Sequence, residues 1–142
     1  MIGRKIFHYK IIEKLGEGGM GVVYKAEDTR LKRPVALKFL ARELTPDSGA
    51  RQRFLQEAQA ASSLQHNNIC TIHNIDETDD HQIFICMDHY DGETLKLMID
   101  DRRLSIDEAV DIAIQIGEGL AKAHEQGTCS RGICHPRAQP IR

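Results

Sequence analysis

The sequence predicts an α+β protein: a five-stranded antiparallel sheet carrying one helix, followed by one or two further helices. Three observations carry that prediction. Short β-branched and aromatic runs, separated by glycine, proline and acidic turns, recur through residues 9 to 90. Within that stretch one segment has its apolar residues at helical spacing. Beyond it the pattern changes to a long amphipathic helix opened by a capping box.

Taken in order, residues 9 to 15 and 22 to 27 read as strands, and the glycine cluster between them makes them a hairpin. A third strand, residues 35 to 40, is introduced by Arg33-Pro34, where proline suits a strand's beginning. The turn-like Thr45-Pro46-Asp47-Ser48-Gly49 leads into a helix over residues 50 to 65, whose stripe is Phe54, Ala58, Ala61 and Leu64. Residues 70 to 75 and 82 to 89 are two more strands, joined by the acidic turn Asp76 to Asp80. Ser105 then caps the longest helix, with Glu108 three residues on and Gly127 as its C′ glycine. Residues 128 to 142 have neither period and read as an irregular, divergent tail.

Composition narrows the class. The 142 residues are 41% hydrophobic and 28% charged, an ordinary globular balance. Lys+Arg 19 against Asp+Glu 21 gives a formal charge of −2, which predicts no strong attraction to nucleic acid or anionic membrane. The longest apolar run, Ile83 to Met87, falls far short of the ~18 residues that a membrane span requires. Met1-Ile2-Gly3-Arg4-Lys5 lacks a signal peptide's apolar region, so a soluble, cytoplasmic chain is expected. Cys70, Cys86, Cys129 and Cys134 form no Cys-x-x-Cys set, and reduced thiols with no metal site are expected.

The chemistry begins at Leu15-Gly16-Glu17-Gly18-Gly19-Met20-Gly21-Val22-Val23, which contains Gly-x-Gly-x-x-Gly. A dinucleotide fingerprint would open a helix after its last glycine, whereas here a Val-Val-Tyr strand follows. A Walker loop would end in Gly-Lys-Ser/Thr, and Gly21 is followed by Val22. A strand-loop-strand flap remains, whose glycines let backbone N–H groups approach phosphates; the bland alternative is a glycine turn that binds nothing.

Val35-Ala36-Leu37-Lys38 lies downstream and resembles the protein-kinase strand whose lysine meets the nucleotide phosphates. With the glycine loop, it makes the chain similar to the amino-terminal part of a eukaryotic-like serine/threonine protein kinase of the bacterial type, over residues 9 to 127. The resemblance implies a nucleotide-binding small lobe over residues 9 to 90, then a hinge and the first large-lobe helices over 91 to 127. It implies ATP as the phosphoryl donor, with Lys38 on the phosphates and Glu57 as its helix-borne partner. The loop residues Gly16, Glu17, Gly18, Gly19, Met20 and Gly21 would cover the nucleotide. Leu15, Val23 and Ala36 resemble the purine sandwich, Met87 the gatekeeper, and the backbone of Asp88 and Tyr90 would pair with the adenine edge. Glu93 or Asp91 would reach the ribose, and the residues leave both open. His66-Asn67-Asn68-Ile69 matches the family's turn after the helix.

After Gly127 the family pattern breaks. Gly132 stands where the resemblance places the aspartate base, Cys134 replaces the loop lysine, and Arg137 or a neighbour replaces a magnesium-binding asparagine. No Asp-Phe-Gly follows. Mg2+ is expected for the family while its ligands are absent here, so the chain alone is expected to be catalytically incomplete. Kinase catalytic domains extend over about 250 residues, and the tail resembles the aberrant ending of a longer kinase gene, which sequencing beyond codon 142 tests. The expected partners are ATP and a protein substrate or partner kinase. Self-association is expected through the apolar face of the last helix, which a large lobe would cover.

Overall fold

The first strand is one that sequence pattern does not reveal. The computed structural model, which describes residues 1–19, 21–41, 48–101 and 104–126, contains β1 (Lys5–Ile6), β2 (Tyr9–Gly18), β3 (Gly21–Asp28), β4 (Arg33–Leu40), β5 (Ile72–Glu77) and β6 (Ile83–Asp88). Among the described residues the sheet therefore has six strands rather than five, in the order β1-β2-β3-β4-β6-β5, all antiparallel. The addition is β1, whose two residues pair with Tyr9 and Lys10 and are too few to display alternation. Its turn closes through Phe7 at φ 51, in the left-handed region.

Directly paired residues share a face, which sorts the sheet into two sides. One side carries Ala26, Val35, Leu37, Phe39, Phe84 and Cys86, over which Ile6, Tyr9 and Ile11 fold. The sheet is curled: Tyr9 of β2 meets Phe84 of β6 edge-on, ring centroids 6.1 Å apart, although β3 and β4 lie between them. Burial pushes the Tyr9 phenol well above its ordinary pKa, and its hydrogen bond with Cys86 adds to the shift. The other side buries Leu40, Ile83 and Ile85 against Phe54 and Ala58 of α1 (Ser48–Ser62).

Local chemistry sets the boundaries. Asp28 ends β3 and its Oδ1 accepts from the N–H groups of Arg30 and Leu31, both at 2.9 Å, closing the turn into β4. The acidic turn begins two residues later than its composition suggests: Asp76 and Glu77 still belong to β5, and Thr78 N–H donates to Gln82 O at 3.0 Å. Helix α1 stops at Ser62, whose hydroxyl donates to Gln59 O at 2.7 Å. Leu64, read by periodicity as the helix's last core position, packs instead with Ile69 and Ala123.

Among the described residues, Met1–Ser62 with Thr71–His89 form one compact unit, and Ser63–Cys70 with the residues from Tyr90 onward form another. The second unit contains α2 (Leu95–Asp100), capped by Thr94, and α3 (Ile106–Glu125). The capping box at α3 forms: Ser105 Oγ accepts from Glu108 N–H at 3.2 Å and Glu108 Oε2 accepts from Ser105 N–H at 2.8 Å. That backbone hydrogen bond, with one from the Ser105 hydroxyl, holds the Glu108 carboxyl below its usual range. The His66-to-Ile69 turn lies against α3, where a Cβ on Gly119 would come within 3.1 Å of Asn68 O, and Asn68 Nδ2 donates to Glu118 at 3.1 Å. Gln126 is the C-cap, while Gly127, the irregular tail with Gly132, and most of the turn before α1 lie outside the described residues. No helix among the described residues is long and apolar enough to cross a membrane.

Candidate functional site

The glycine hairpin is built from two kinds of glycine. In the β2–β3 register, Gly16 faces Val23, Glu17 faces Val22 and Gly18 faces Gly21. Gly21 is required by the fold: its φ is +139, and an added Cβ would lie 1.8 Å from the carbonyl oxygen of Phe39 on the neighbouring β4. Gly16, Gly18 and Gly19 differ, because a Cβ on any of them meets nothing within 4 Å. Their exposed backbone borders open space. Glu17 is held by an ion pair with Lys14 at the surface, and Met20 lies outside the described residues.

Leu15 is half-buried at an irregularity in β2, where Lys14 opposes Tyr24 and Gly16 opposes Val23, so Leu15 is the extra residue of a bulge. Across the sheet, Val23 pairs with Lys38 and Lys38 with Ile85, while Ala36 pairs with Met87. By alternation Val23, Ala36, Lys38 and Met87 therefore lie on one face, the face that carries α1 at its other end. Ala36 is buried, and Val23 and Met87 are half-buried.

Lys38 is the charged member of this set. Its Nζ sits 5.9 Å from the centroid of the Phe54 ring, within cation–π range. Burial draws its pKa below the ordinary lysine value, and the Glu57 carboxylate partly opposes that shift. Glu57 is half-buried on α1 but acts through its field: among the described residues no carboxylate stands within 4.0 Å of the Lys38 ammonium.

At the end of β6, Asp88 is fixed twice. Its N–H donates to Thr71 O at 3.0 Å, and its Oδ1 is 2.7 Å from His73 Nε2. Tyr90, Asp91 and Glu93 belong to the second unit, the first half-buried and the other two exposed. Sequence reading overlooks two residues at the site. Phe54 appears there only as a helix core position, although its ring also lies beneath Lys38. His73 has no signal in strand alternation, because β5 is irregular between Ile72 and Asn74.

A curled antiparallel sheet with one helix on its face, a glycine hairpin and a strand-borne lysine defines the small lobe of a protein kinase. The chain belongs to that family: the protein kinase domain model matches residues 9–135. The particular kinship is with bacterial serine/threonine kinases. Serine/threonine-protein kinase PrkC of Bacillus subtilis is 41% identical over 135 residues, 94% of this chain and 21% of the relative. Serine/threonine-protein kinase PknF of Mycobacterium tuberculosis is 38% identical over 128 residues, 88% of this chain and 27% of the relative. The crystal structure of the M. tuberculosis PknI kinase domain superposes with a TM-score of 0.80 at 29% identity, covering 95% of this chain and 55% of that one. The chain thus spans about a fifth of the length of the first of these curated relatives.

Proposed function

We propose that the chain supplies the ATP-binding lobe of a serine/threonine protein kinase, the enzyme class that moves the γ-phosphoryl group of ATP to a protein hydroxyl. One observation carries the reading: Lys38 is a partly desolvated cation with no direct carboxylate partner among the described residues, on the same sheet face as Val23, Ala36 and Met87. A desolvated ammonium gains most from an anion, and the triphosphate supplies one. Leu15, Val23 and Ala36 offer the base an apolar surface, Met87 limits its depth, and the glycine hairpin offers N–H groups to the phosphates. Glu57 keeps Lys38 charged. The Asp88 N–H is engaged by Thr71, so the Asp88 carbonyl is the group that this reading assigns to the adenine edge. Tyr90 would supply the second backbone contact, and Asp91 or Glu93 the ribose contact.

Magnesium accompanies ATP in this family, but the residues present do not fit it. Among the described residues no group of three histidine, cysteine or acidic side chains is placed to hold a cation, and the sequence has Cys134 to Arg137 where the family's loop approaches its metal asparagine. No step of the proposal runs through a metal ion.

A second reading rests on Gly132, which occupies the sequence position of the catalytic aspartate. On that reading the chain is a nucleotide-binding, kinase-interacting module without phosphotransfer, and its partner is another kinase. Both readings place the chain in the cytoplasm. Both also allow self-association through α3, where Ile106 is 83% exposed and Val110 and Ile114 just over half exposed. Titrating the purified chain with ATP, with and without magnesium, tests the shared claim, and no saturable binding would refute it. A phosphotransfer assay on a generic protein substrate separates the two readings: turnover that disappears in Lys38→Ala favours the enzyme, and ATP binding without turnover favours the module.

A further inference from the structure

The β5 strand contains an irregularity that regular pairing does not need. Ile72 opposes Met87 and Asn74 opposes Cys86, so two steps along β5 match one along β6, and His73 is the additional residue. A bulge of this kind leaves its extra residue out of the ladder and re-aims its side chain. Here the re-aimed imidazole reaches the last residue of β6: His73 Nε2 is 2.7 Å from Asp88 Oδ1. Both side chains are partly shielded, with 20% and 33% of their surfaces exposed, which makes the contact worth more than a solvated surface pair. One residue before the bulge, Thr71 O accepts the Asp88 N–H at 3.0 Å. The start of β5 therefore holds Asp88 by side chain and by backbone together.

We propose that His73 is a positioning residue for base recognition: from its bulge it holds the Asp88 carboxylate and so fixes the peptide plane whose carbonyl receives the adenine edge. The proposal rests on the ATP-binding reading above. With the Asp88 N–H tied to Thr71 and its carboxylate tied to His73, rotation about the Asp88 backbone is restrained from two sides, and its carbonyl direction is set before nucleotide arrives. Preorganisation of this kind raises affinity by lowering the ordering cost at binding. His73 itself touches no nucleotide in this scheme.

The test uses the full 142-residue chain and two probes, ATP and inorganic tripolyphosphate, which carries the phosphates without a base. His73→Ala should weaken ATP by about fivefold and leave tripolyphosphate unchanged, since one charge-assisted hydrogen bond is removed at one step from the ligand. His73→Gln, which keeps an N–H donor near the Nε2 position, should retain ATP affinity, and it serves as the folded control if the alanine variant melts. Unchanged ATP affinity in His73→Ala overturns the proposal, and so does equal weakening of both probes, which would mean general loosening of the lobe. Hydrogen exchange at the Asp88 amide of nucleotide-free protein gives an independent reading: it should accelerate in His73→Ala and not in His73→Gln. If that acceleration is absent, the positioning claim fails while ATP binding stands. If the unsubstituted chain binds ATP no more tightly than tripolyphosphate, the adenine reading itself falls and takes the proposal with it.

Discussion

The two units bury their apolar residues in opposite ways. The sheet unit closes on itself: one face is covered by its own curled β1–β2 end and part of the other by α1, so that Leu37, Phe39, Phe84 and Leu40 are all at most 2% exposed. In the helical unit, among the described residues, α3 buries Ile112, Gly119 and Ala123, the last packed with Leu64 and Ile69, while Ile106, Val110 and Ile114 on another face of the helix remain exposed. A twisted sheet with a helix on it can complete a core within about eighty residues, whereas a single amphipathic helix needs a neighbour for each apolar stripe. A site that depends on fixed strand register therefore belongs on the first unit, and Lys38 and the glycine hairpin lie there.

The most severe way to break this contrast is to force β3 away from β4. Gly21→Ala places a Cβ against the Phe39 carbonyl at a φ of +139, and is expected to cost about 3–4 kcal/mol, lowering the melting temperature of the sheet unit. Gly18→Ala, with nothing within 4 Å of its added Cβ, should cost less than about 1 kcal/mol and serves as the control. Equal melting curves for the two would refute the close approach.

Next in size is the effect on ligand binding. Lys38→Ala should weaken ATP by about ten- to a hundredfold while leaving the fold intact, as calorimetric titration and circular dichroism would record. The pH dependence sharpens this. Burial lowers the Lys38 pKa from 10.5 in the folded chain, so between that lowered value and 10.5 the unfolded state binds more protons and stability rises with pH. ATP binding needs the protonated ammonium and should weaken over the same interval. Opposite slopes for stability and affinity, both absent in Lys38→Ala, are the expected signature. Parallel slopes would assign the titration to another group.

Smaller again is the cap of α3. Ser105→Ala removes the acceptor for Glu108 N–H and should cost about 1 kcal/mol, read as faster amide exchange in the first turn of the helix. The Glu108 carboxyl, now held low by Ser105, should then titrate nearer its ordinary value. In the native chain that folded-state pKa lies below the unfolded one, so this contribution is present above the unfolded value and is lost as pH falls through the folded one.

Much of the architecture is legible in the residues because its causes are local. β-Branched and aromatic runs mark β3 and β4, Pro34 marks a strand's beginning, and Ser105 with Glu108 marks a helix start within one residue. The misses share a different cause. β1 is two residues long and exists through its pairing with β2, and Leu64 has helical spacing from Ala61 yet packs with Ile69 and Ala123. At the candidate site, Lys38 and the glycines are recognisable from type and spacing. The Lys38 ammonium's place over Phe54, the field-only influence of Glu57 and the aim of His73 are not. Each depends on where a helix or bulge sets a side chain across the sheet, which no periodicity records.

The smallest expected change in stability concerns the exposed side of α3. Ile106, Val110 and Ile114 recur at intervals of four, so they form a single stripe, continued by Gly117 and Ala121 one turn and two turns further on. Replacing Ile114 with glutamate removes no buried contact, since the residue is 54% exposed, and should alter stability by less than about 0.5 kcal/mol. If self-association uses this stripe, the same substitution places a carboxylate in its middle and should shift the sedimentation profile toward monomer. Ile12→Glu, at a residue 44% exposed on the sheet unit, provides the matched comparison and should leave the profile unchanged. An equal response from both would mean that the exposed apolar surface of the helical unit is no more adhesive than that of the sheet unit. The contrast between the units would then reduce to one of core closure alone.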